Sequence, residues 1–488
     1  MNRKDLLLSG MAFLMDAIPL FAQQTERPNI ILLLADDVSA TDFGCYGNDV
    51  VRTPNIDELA QFGLRFNNVY LSTSSSSPSR ASLITGRYPH NTGACELHTD
   101  MGDEQVFFPS LLKEVGYYTA QSGKWHFSST SSEDFSGPVR KAFDSVGGDT
   151  QHGGGPSGSE KWVETLRNRP KDKPFFMWFA SHDAHRNWDN DIFLPRYSPD
   201  KVDVKPWYLD TPETRADIAA YYNEVSRFDY FVGEVVKELK RQSVFDNTLI
   251  IVMADNGRPF PRAKTRLLTD GIKTPFIISF PRLIAAGGQV CNSLISSIDI
   301  APTIVDIAGG NQYPTFQGRS FKHLMGNPVD RFRTYAFAEH NWHDYEAFER
   351  AVYTDTHMLI VNGRTNLNAE GAIDIMNGGT GVSLLNNRHQ LNDLQTDIFR
   401  VNRDSVELYD LTNDRYQYVQ LPNDSPYQGK LLSVLREWQE DTGDTCPDHL
   451  TEDWYDRETR QLTSHKSVRG EMPGTSRQAT LINKSGPF

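Results

Sequence analysis

The chain has 488 residues, of which 38% are hydrophobic and 23% are charged, the balance of an ordinary globular protein with room for more than one domain. Its formal net charge is −14, so we expect no basic face suited to nucleic acid. An acidic protein can still bind an anion, because a small pocket can be positively charged. The four cysteines are widely spaced and form no metal-binding CxxC pattern.

The first 22 residues have the pattern of a secretory signal peptide. Arg3 and Lys4 precede a mostly apolar run, and Leu20-Phe21-Ala22 offers a cleavage point. No later run has the length of a membrane span, and no Cys lies near the cleavage point to carry a lipid. We therefore predict a signal peptide over 1–22 and an exported protein, periplasmic or secreted, without a membrane anchor.

Short apolar runs alternate with helical segments through most of the chain. Such runs are typical of strands that are buried on both faces of a parallel sheet. They cover residues 28–35, 65–70, 117–123, 173–181, 248–254 and 274–281. Helical spacing is found over 53–60, 106–116 and 211–241. The alternation predicts an α/β fold with a doubly wound, mostly parallel central sheet.

The pattern changes from about residue 311 onwards. Short runs typical of strands follow at 334–339, 351–353, 358–361 and 406–411. Residues 428–442 have the spacing of a final amphipathic helix. These segments indicate a smaller α+β subdomain with an antiparallel sheet. We place a catalytic domain over 23–315 and the C-terminal subdomain over 316–488.

Polar clusters stand where four of the buried runs end. The clusters are Asp36-Asp37, Lys124-Trp125-His126, His182-Asp183-Ala184-His185 and Asp255-Asn256-Gly257. Because the carboxyl ends of parallel strands meet at one edge of a sheet, these side chains should lie close together, where such sheets bind ligands. Each cluster alone is an ordinary loop at a strand end. Together they predict a functional site.

A run of four serines, Ser74 to Ser77, precedes Pro78 at the start of a predicted helix. Serine suits the cap of a helix and proline suits its first turn, because backbone N–H groups there lack partners. With Arg80 one turn further on, these N–H groups form a positively polarised pocket for an anion. Composition alone would make this stretch a cap on a surface helix.

The stretch Ser76-Ser77-Pro78-Ser79-Arg80, followed by Leu83-Ile84-Thr85-Gly86-Arg87, resembles the signature of the type I sulfatases. In that family the first motif residue, here Ser76, is oxidised to formylglycine (3-oxoalanine), the catalytic aldehyde. The resemblance implies an alkaline-phosphatase-like fold and an enzyme that hydrolyses a sulfate group from its substrate.

The resemblance also assigns roles to the polar clusters. The positions that match the family's cation ligands are Asp36, Asp37, Asp255, Asn256 and the modified Ser76. Oxygen donors of this kind suit Ca²⁺ or Mg²⁺, and the family usually binds Ca²⁺. The positions that match its catalytic sulfate pocket are Ser76, Arg80, Lys124, His126, His185 and Lys264.

The mechanism that the resemblance implies is covalent catalysis. A hydroxyl of the hydrated aldehyde at Ser76 attacks sulfur, and His185 or Lys264 donates a proton to the departing group. His126 then removes the proton of the second hydroxyl, which expels sulfate and restores the aldehyde.

Further segments resemble the heparan N-sulfatase (sulfamidase) branch of the family. They are 76–86, 97–100, 182–186, 210–217 and 255–261. Enzymes of this branch remove the N-sulfate from terminal glucosamine in heparin and heparan sulfate, so the implied partner is a sulfated saccharide. The candidate sugar contacts are His98, Asp100, His340, His343 and Arg350, whose alternative role is that of ordinary surface polar residues.

Two positions depart from that branch. Lys264 stands where the sulfamidase pattern has Arg, so contact with the sulfamate could differ. Ser76 replaces the more familiar Cys, which implies a second partner, an anaerobic radical-SAM sulfatase-maturating enzyme.

The sequence leaves three other functions open. The chain could be an exo-acting O-sulfatase for another sulfated sugar, or a phosphatase or phosphonate monoester hydrolase of the same fold. It could also be a catalytically silent glycan-binding protein in which Ser76 stays a serine. The sequence leaves the oligomeric state open.

Overall fold

A computed structural model of the chain describes residues 27–127, 137–148, 157–188, 195–284 and 286–488. The predicted signal peptide lies outside these residues. Among the described helices, none is both long enough and apolar enough to cross a membrane.

A central sheet of eight strands forms the larger part of the fold. In chain order the strands are β1 (Asn29–Ala35), β2 (Leu64–Tyr70), β3 (Tyr118–Gly123), β4 (Ser145–Gly147), β5 (Phe175–Ala180), β6 (Thr248–Ala254), β7 (Phe276–Ser279) and β8 (Gln289–Ser296). Their spatial order is β4-β3-β5-β1-β6-β7-β2-β8. Within this sheet β7 runs antiparallel to both neighbours, whereas the other neighbouring pairs are parallel. The predicted mostly parallel sheet is confirmed.

Helices cover both faces of the sheet. The helices of the described residues, including those of the C-terminal part, are α1 (Pro54–Phe62), α2 (Ser76–Thr85), α3 (Pro89–Thr92), α4 (Phe108–Glu114), α5 (Trp162–Asn168), α6 (Pro212–Arg241), α7 (Thr269–Ile272), α8 (Ile300–Ile307), α9 (Ile373–Asn377), α10 (Gly379–Asn386), α11 (Asp393–Thr396) and α12 (Pro426–Thr442). The long helix predicted over 211–241 is α6, which begins after the N-cap Thr211, whose side chain accepts a hydrogen bond from the backbone N–H of Thr214.

The central strand β1 explains why the sheet is covered on both sides. All seven of its residues are buried, and successive side chains point to opposite faces. Ile30 and Leu32 join the apolar core that includes residues of α2, α4 and α8. Ile31 and Leu33 join the core that includes residues of α1, α5 and α6. An unbroken apolar run is therefore what this position in a doubly wound fold requires.

Two strands of the central sheet, β4 and β8, were not among the predicted ones. Both lie at the ends of the sheet order. In β8 the fourth residue, Asn292, is exposed to solvent, and the two residues at the start of the strand are only partly buried. An edge strand buries less of its surface, so its sequence contains polar residues and lacks a continuous apolar run.

A second sheet of four antiparallel strands forms the C-terminal subdomain. The strands are β9 (Ala336–His343), β10 (Tyr345–Tyr353), β11 (His357–Asn362) and β12 (Val406–Asp410). The predicted antiparallel sheet is therefore confirmed. However, β9 and β10 extend further than expected, to a tight turn at Asp344, whose φ of 65° is in the left-handed region. Polar residues near this turn ended the apolar runs early. The boundary between 315 and 316 stays a prediction.

The buried face of β1 gives a test of this packing. Leu33 is fully buried between β5 and β6, so Leu33→Ala should lower the free energy of unfolding by about 2–5 kcal/mol through the cavity it leaves. The measurement is urea-induced unfolding followed by tryptophan fluorescence. Leu283→Ala, at a leucine that is 45% exposed, is the matched control and should change little. Equal unfolding midpoints for the two variants would contradict the assigned core.

Candidate active site

The predicted polar clusters meet at one edge of the central sheet. The strands β3, β5, β1 and β6 are adjacent in that order, and their carboxyl ends lie together. Asp36 and Asp37 follow β1, Lys124 follows β3, and Asp255 and Asn256 follow β6. The topology therefore brings together residues that are far apart in the sequence.

Backbone hydrogen bonds fix the ends of these strands relative to one another. The N–H of Asp36 donates to the carbonyl of Asp183 at 2.8 Å, and the N–H of Ala184 donates back to the carbonyl of Asp36 at 2.6 Å. On the other side, the N–H of Val38 donates to the carbonyl of Asn256 at 3.0 Å. The side chains of the site thus project from a cross-linked backbone.

Three buried carboxylates form the centre of the site. One oxygen from each of Asp36, Asp37 and Asp255 lies within 4.8 Å of the others, and all three residues are fully buried. Burial raises the pKa of Asp37 to about 7, against the charge of Lys264, and burial together with the charge of Asp36 also raises the pKa of Asp255. Burial opposes ionisation of Asp36 too, but nearby cations, Lys124 foremost, hold its pKa well below its usual value.

Three buried cations compensate these carboxylates. The pairs are Lys124 with Asp36, Lys264 Nζ with Asp37 Oδ2 at 2.8 Å, and Arg80 Nε with Asp255 Oδ2 at 2.8 Å. The cationic side chains are at most 1% exposed. Ionised groups removed from water in this way need such partners. The predicted sulfate-pocket cations therefore lie directly on the predicted metal ligands.

Ser76 is the first residue of α2 and follows the N-cap Ser75. Its hydroxyl lies 2.8 Å from Asn256 Oδ1 and 3.3 Å from Asp36 Oδ1, within hydrogen-bond reach of both. All ten residues of α2 are buried, and the positive end of the helix dipole faces the site. The stretch that composition alone would make a surface cap is a buried helix start inside the polar cluster.

Histidines lie at a more exposed side of this cluster. The side chain of His185 is 20% exposed, and its Nε2 lies 3.9 Å from Asp37 Oδ2. His126 follows Lys124 by two residues, and its Nε2 lies 3.1 Å from Nδ1 of His98. A histidine at this position can exchange a proton with a bound ligand, while the carboxylates behind it stay buried.

The central donor set is suited to a hard divalent cation. The donors are carboxylate and amide oxygens from Asp36, Asp37, Asp255 and Asn256, with the hydroxyl of Ser76 beside them. Oxygen ligands of this kind are preferred by Ca²⁺ and Mg²⁺, whereas zinc sites favour thiolate and imidazole. Three carboxylates so close together also gain most from a cation placed between them.

Four of the five candidate sugar contacts have positions that are compatible with that role. His98 lies beside His126, and Asp100 is exposed on the same loop. His343, near the end of β9, pairs through Nδ1 with Oγ of Ser75 at 2.7 Å. Burial and nearby cations hold the pKa of His343 well below its usual value, so it is neutral. His340 lies on the same strand and lines a cleft that also includes His343.

Arg350 differs from these four residues. Its Nε and Nη2 donate to the carboxylate of Asp444 at 2.7 and 2.8 Å, and its Nη1 donates to the carbonyl of Glu349 at 2.9 Å. The side chain is 1% exposed. The guanidinium therefore binds groups within the C-terminal subdomain and is buried there. It is not placed to contact a sugar, contrary to the expectation. A sequence cannot show that an arginine has a buried carboxylate as its partner.

One residue of the site was absent from the prediction. Asp374, on α9, places Oδ2 3.9 Å from His185 Nε2 and 3.9 Å from Lys264 Nζ. It is an isolated acidic residue in a weakly patterned segment, so no feature of the sequence indicates that it reaches the strand ends of the other domain.

Comparisons with known proteins agree with this geometry. The profile of the Sulfatase family matches residues 28–310, and a profile described as N-sulphoglucosamine sulphohydrolase, C-terminal, matches residues 263–398. A human N-sulphoglucosamine sulphohydrolase is 31% identical over 481 residues, covering 88% of this chain and 93% of the human protein. An ulvan-active sulfatase of Formosa agariphila is 27% identical, covering 91% of this chain and 80% of that protein.

Solved structures share the fold. A structure that contains its substrate, D-glucosamine-2-N,6-O-disulfate, superposes with a TM-score of 0.64 at 21% identity, covering 85% of this chain and 98% of the other. A phosphonate monoester hydrolase of Agrobacterium radiobacter superposes with a TM-score of 0.62 at 16% identity, covering 86% and 98%. These similarities confirm the predicted alkaline-phosphatase-like fold class.

The buried ion pair between Lys264 and Asp37 can be tested by a double-mutant cycle. Lys264→Met leaves Asp37 without its nearest cation, so in the presence of a chelator it should lower the free energy of unfolding by about 3–5 kcal/mol. The double variant Asp37→Asn/Lys264→Met removes both charges and should recover most of that loss. Urea-induced unfolding measures both effects. If Lys264→Met were as stable as the wild type, Asp37 would not depend on Lys264 to compensate its buried charge.

Proposed function

This chain belongs to the sulfatase family and is a hydrolase of sulfate esters or sulfamates; we propose that it is an exo-acting N-sulfoglucosamine sulfohydrolase. Its substrate would be terminal N-sulfated glucosamine in heparin or heparan sulfate saccharides. The observation that carries the proposal is the Ser76 hydroxyl at a helix start among three buried carboxylates and three buried cations. The choice of sugar is supported by the 31% identity to the human enzyme and by the matching C-terminal profile.

The charge of the site is consistent with an anionic substrate. Its three carboxylates and three cationic side chains balance when all are ionised. A divalent cation would leave the site with a surplus of positive charge, which suits the anionic sulfamate and the additional charge that develops on the sulfuryl oxygens during transfer. Because these groups are buried, their interaction with that charge is weakly screened.

We propose that Ca²⁺ is held by Asp36, Asp37, Asp255 and Asn256 together with residue 76. The ion would supply Lewis-acid activation at residue 76. Conversion of Ser76 to formylglycine would supply the covalent nucleophile. The buried α2 start holds residue 76 in place for both roles.

The protein's own side chains would then bind the anion and move protons. Arg80 and Lys124 would bind and neutralise sulfuryl oxygens. His185 and Lys264, which both lie beside Asp37, are the candidates to donate a proton to the departing nitrogen. His126 is the candidate to accept a proton from residue 76 as sulfate leaves.

The same proposal extends to the partners of the enzyme. The saccharide would contact His98, Asp100, His340 and His343. His98 lies beside His126, His343 lies beside Ser75, and His340 lines the same cleft as His343. A Ser-type motif implies maturation by an anaerobic radical-SAM enzyme. The predicted leader would direct the protein to the periplasm or out of the cell.

An O-sulfatase acting on another sugar is the second candidate. It is favoured by the ulvan-active sulfatase of Formosa agariphila, which covers 91% of this chain, and by Lys264 at a position where sulfamidases have Arg. It would use the same cluster, because the groups around residue 76 act on the sulfuryl group and not on the sugar.

Sulfate release from defined saccharides decides between the two candidates. We expect release from heparin-type disaccharides whose terminal glucosamine carries N-sulfate alone, and none from disaccharides that carry O-sulfate alone. Ion chromatography of released sulfate, with the glucosamine product identified by mass spectrometry, gives the measurement. Release from the O-sulfated set alone would refute the N-sulfatase proposal and support the second candidate.

The modification of Ser76 has its own test. Tryptic peptides of the active enzyme from an anaerobic host should contain residue 76 two hydrogens lighter than serine. Ser76→Ala should lower kcat by roughly 10⁴-fold or more, as loss of a covalent nucleophile does, with an unchanged unfolding midpoint. An unmodified serine in fully active enzyme would contradict the proposed nucleophile.

A further inference from the structure

Two segments that resemble the sulfamidase branch, 182–186 and 210–217, contain an ion pair that the proposed reaction does not use. The Nη1 and Nη2 atoms of Arg186 donate to the two carboxylate oxygens of Asp217, both at 2.7 Å. Asp217 Oδ2 also accepts from the backbone N–H and from Oγ1 of Thr380, at 2.9 and 2.8 Å. This clamp joins the loop after β5 and helix α6 to the start of α10 in the C-terminal subdomain.

Close backbone packing completes the attachment. A Cβ on Gly378 would lie 2.1 Å from Nη1 of Arg186, and a Cβ on Gly379 would lie 2.8 Å from the carbonyl oxygen of Glu213. On the other side of α9, the carboxylate of Asp344 accepts from the N–H of Ile373 at 3.1 Å. Helix α9 is therefore anchored at both ends, beside the loop that contains His185.

This anchoring places one carboxylate oxygen of Asp374 at the site. Its Oδ1 accepts from the N–H of Ile375 at 2.9 Å. Its Oδ2 is buried and has no hydrogen-bond partner among the described residues. The distances of 3.9 Å from Oδ2 to His185 Nε2 and to Lys264 Nζ exceed a hydrogen bond, whereas Lys264 bonds Asp37 at 2.8 Å. An acceptor in this position suits a donor from the substrate.

The departing atom of the substrate must approach these same groups. His185 and Lys264 are the candidate proton donors, so the leaving atom has to come within hydrogen-bond reach of one of them. Asp374 Oδ2 lies beside both. In a sulfamate that atom is a nitrogen bearing a hydrogen, whereas in a sulfate ester it is an oxygen without one.

We propose that Asp374 Oδ2 accepts a hydrogen bond from the sulfamate N–H and so selects N-sulfate over O-sulfate, an inference that rests on the proposed function. As the sulfuryl group passes to the proposed nucleophile at residue 76, an S–O bond forms and the S–N bond breaks. The electron pair of the S–N bond stays on nitrogen, which takes one proton from His185 or Lys264 and leaves as the amine. The original N–H hydrogen stays on nitrogen throughout. The amine product, protonated in water, then pairs with the same carboxylate.

The physical basis of the selection is a charge-assisted hydrogen bond. Such bonds are about twice as strong as neutral ones. An ester oxygen offers no donor, so the buried Oδ2 would stay without a partner and would face the lone pairs of the ester oxygen. Sites built to bond a substrate NH reject analogues that lack it far more strongly than apolar pockets reject a change of size.

The test compares Asp374→Asn and Asp374→Ala with the matched control Asp393→Asn, which changes an exposed aspartate on α11. Each full-length, matured variant is assayed with N-sulfoglucosamine, and glucosamine and glucose are compared as inhibitors because they differ only at the atom in question. Asp374→Ala removes the acceptor and should lower kcat/KM about tenfold or more, whereas Asp374→Asn keeps a neutral amide oxygen and should lower it less. The preference of the wild type for glucosamine over glucose should disappear in the alanine variant, weaken in the asparagine variant and persist in the control.

The two proposals fail in different ways. If the wild type releases no sulfate from N-sulfoglucosamine, the proposed function is wrong and the selection role of Asp374 is wrong with it. If the wild type is active but the Asp374 variants keep its kcat/KM, or keep its preference for glucosamine, only the role of Asp374 is overturned. Thermal unfolding of each variant separates loss of selection from loss of fold, and the alanine variant provides a second measurement if the asparagine variant unfolds.

Discussion

The structure depends on the compensation of charge at one buried sheet edge. Asp36, Asp37 and Asp255 project from strand ends whose backbones are hydrogen-bonded to one another, so they cannot separate to relieve their repulsion. Each is paired with a buried cation. Removing one partner from such a set leaves an uncompensated buried charge, which costs several kcal/mol. Burying six charged groups costs more free energy than an apolar core of the same size would. The same arrangement is well suited to binding a cation and an anion side by side.

The C-terminal subdomain completes this edge and does not merely adjoin it. The turn between β9 and β10 brings His343 to Ser75, immediately before the proposed nucleophile. Helix α9 brings Asp374 to the two candidate proton donors. The metal-binding and sulfate-binding groups thus come from the central sheet, whereas groups that can recognise the leaving part of the substrate come from both domains.

The second arginine of the serine motif has a structural role that complements this arrangement. Arg87 donates to the carbonyl oxygens of Thr480 and Ile482 and to the side chain of Asn483. It also bonds the carbonyl of Asn91. Residues 480–483 are therefore hydrogen-bonded to the segment that directly follows α2, the helix that begins at Ser76. Arg80 and Arg87 belong to the same motif, but the first faces the site and the second fixes the fold around it.

The sequence was most informative where local pattern and position coincide. The run of β1 is apolar because both faces of that strand are buried. Asp36 and Asp37 directly follow it, and their position at a strand end, where such sheets bind ligands, made them predictable as site residues. Edge strands such as β8, which bury less surface, lack that pattern. The roles of Arg350 and Asp374 depend on partners distant in sequence, Asp444 for the first and Lys264 for the second, and only the folded chain reveals them.

The most direct test of this account is calcium binding by the strand-end carboxylates. Chelator-treated wild type should gain thermal stability on addition of Ca²⁺, by about 2.7 kcal/mol when the free ion is at a hundredfold its Kd. Asp255→Asn, which removes one of the three carboxylates, should shift much less at the same concentration. No stabilisation of the wild type at any Ca²⁺ concentration, or an equal shift in the variant, would contradict the assignment of this cluster as the cation site.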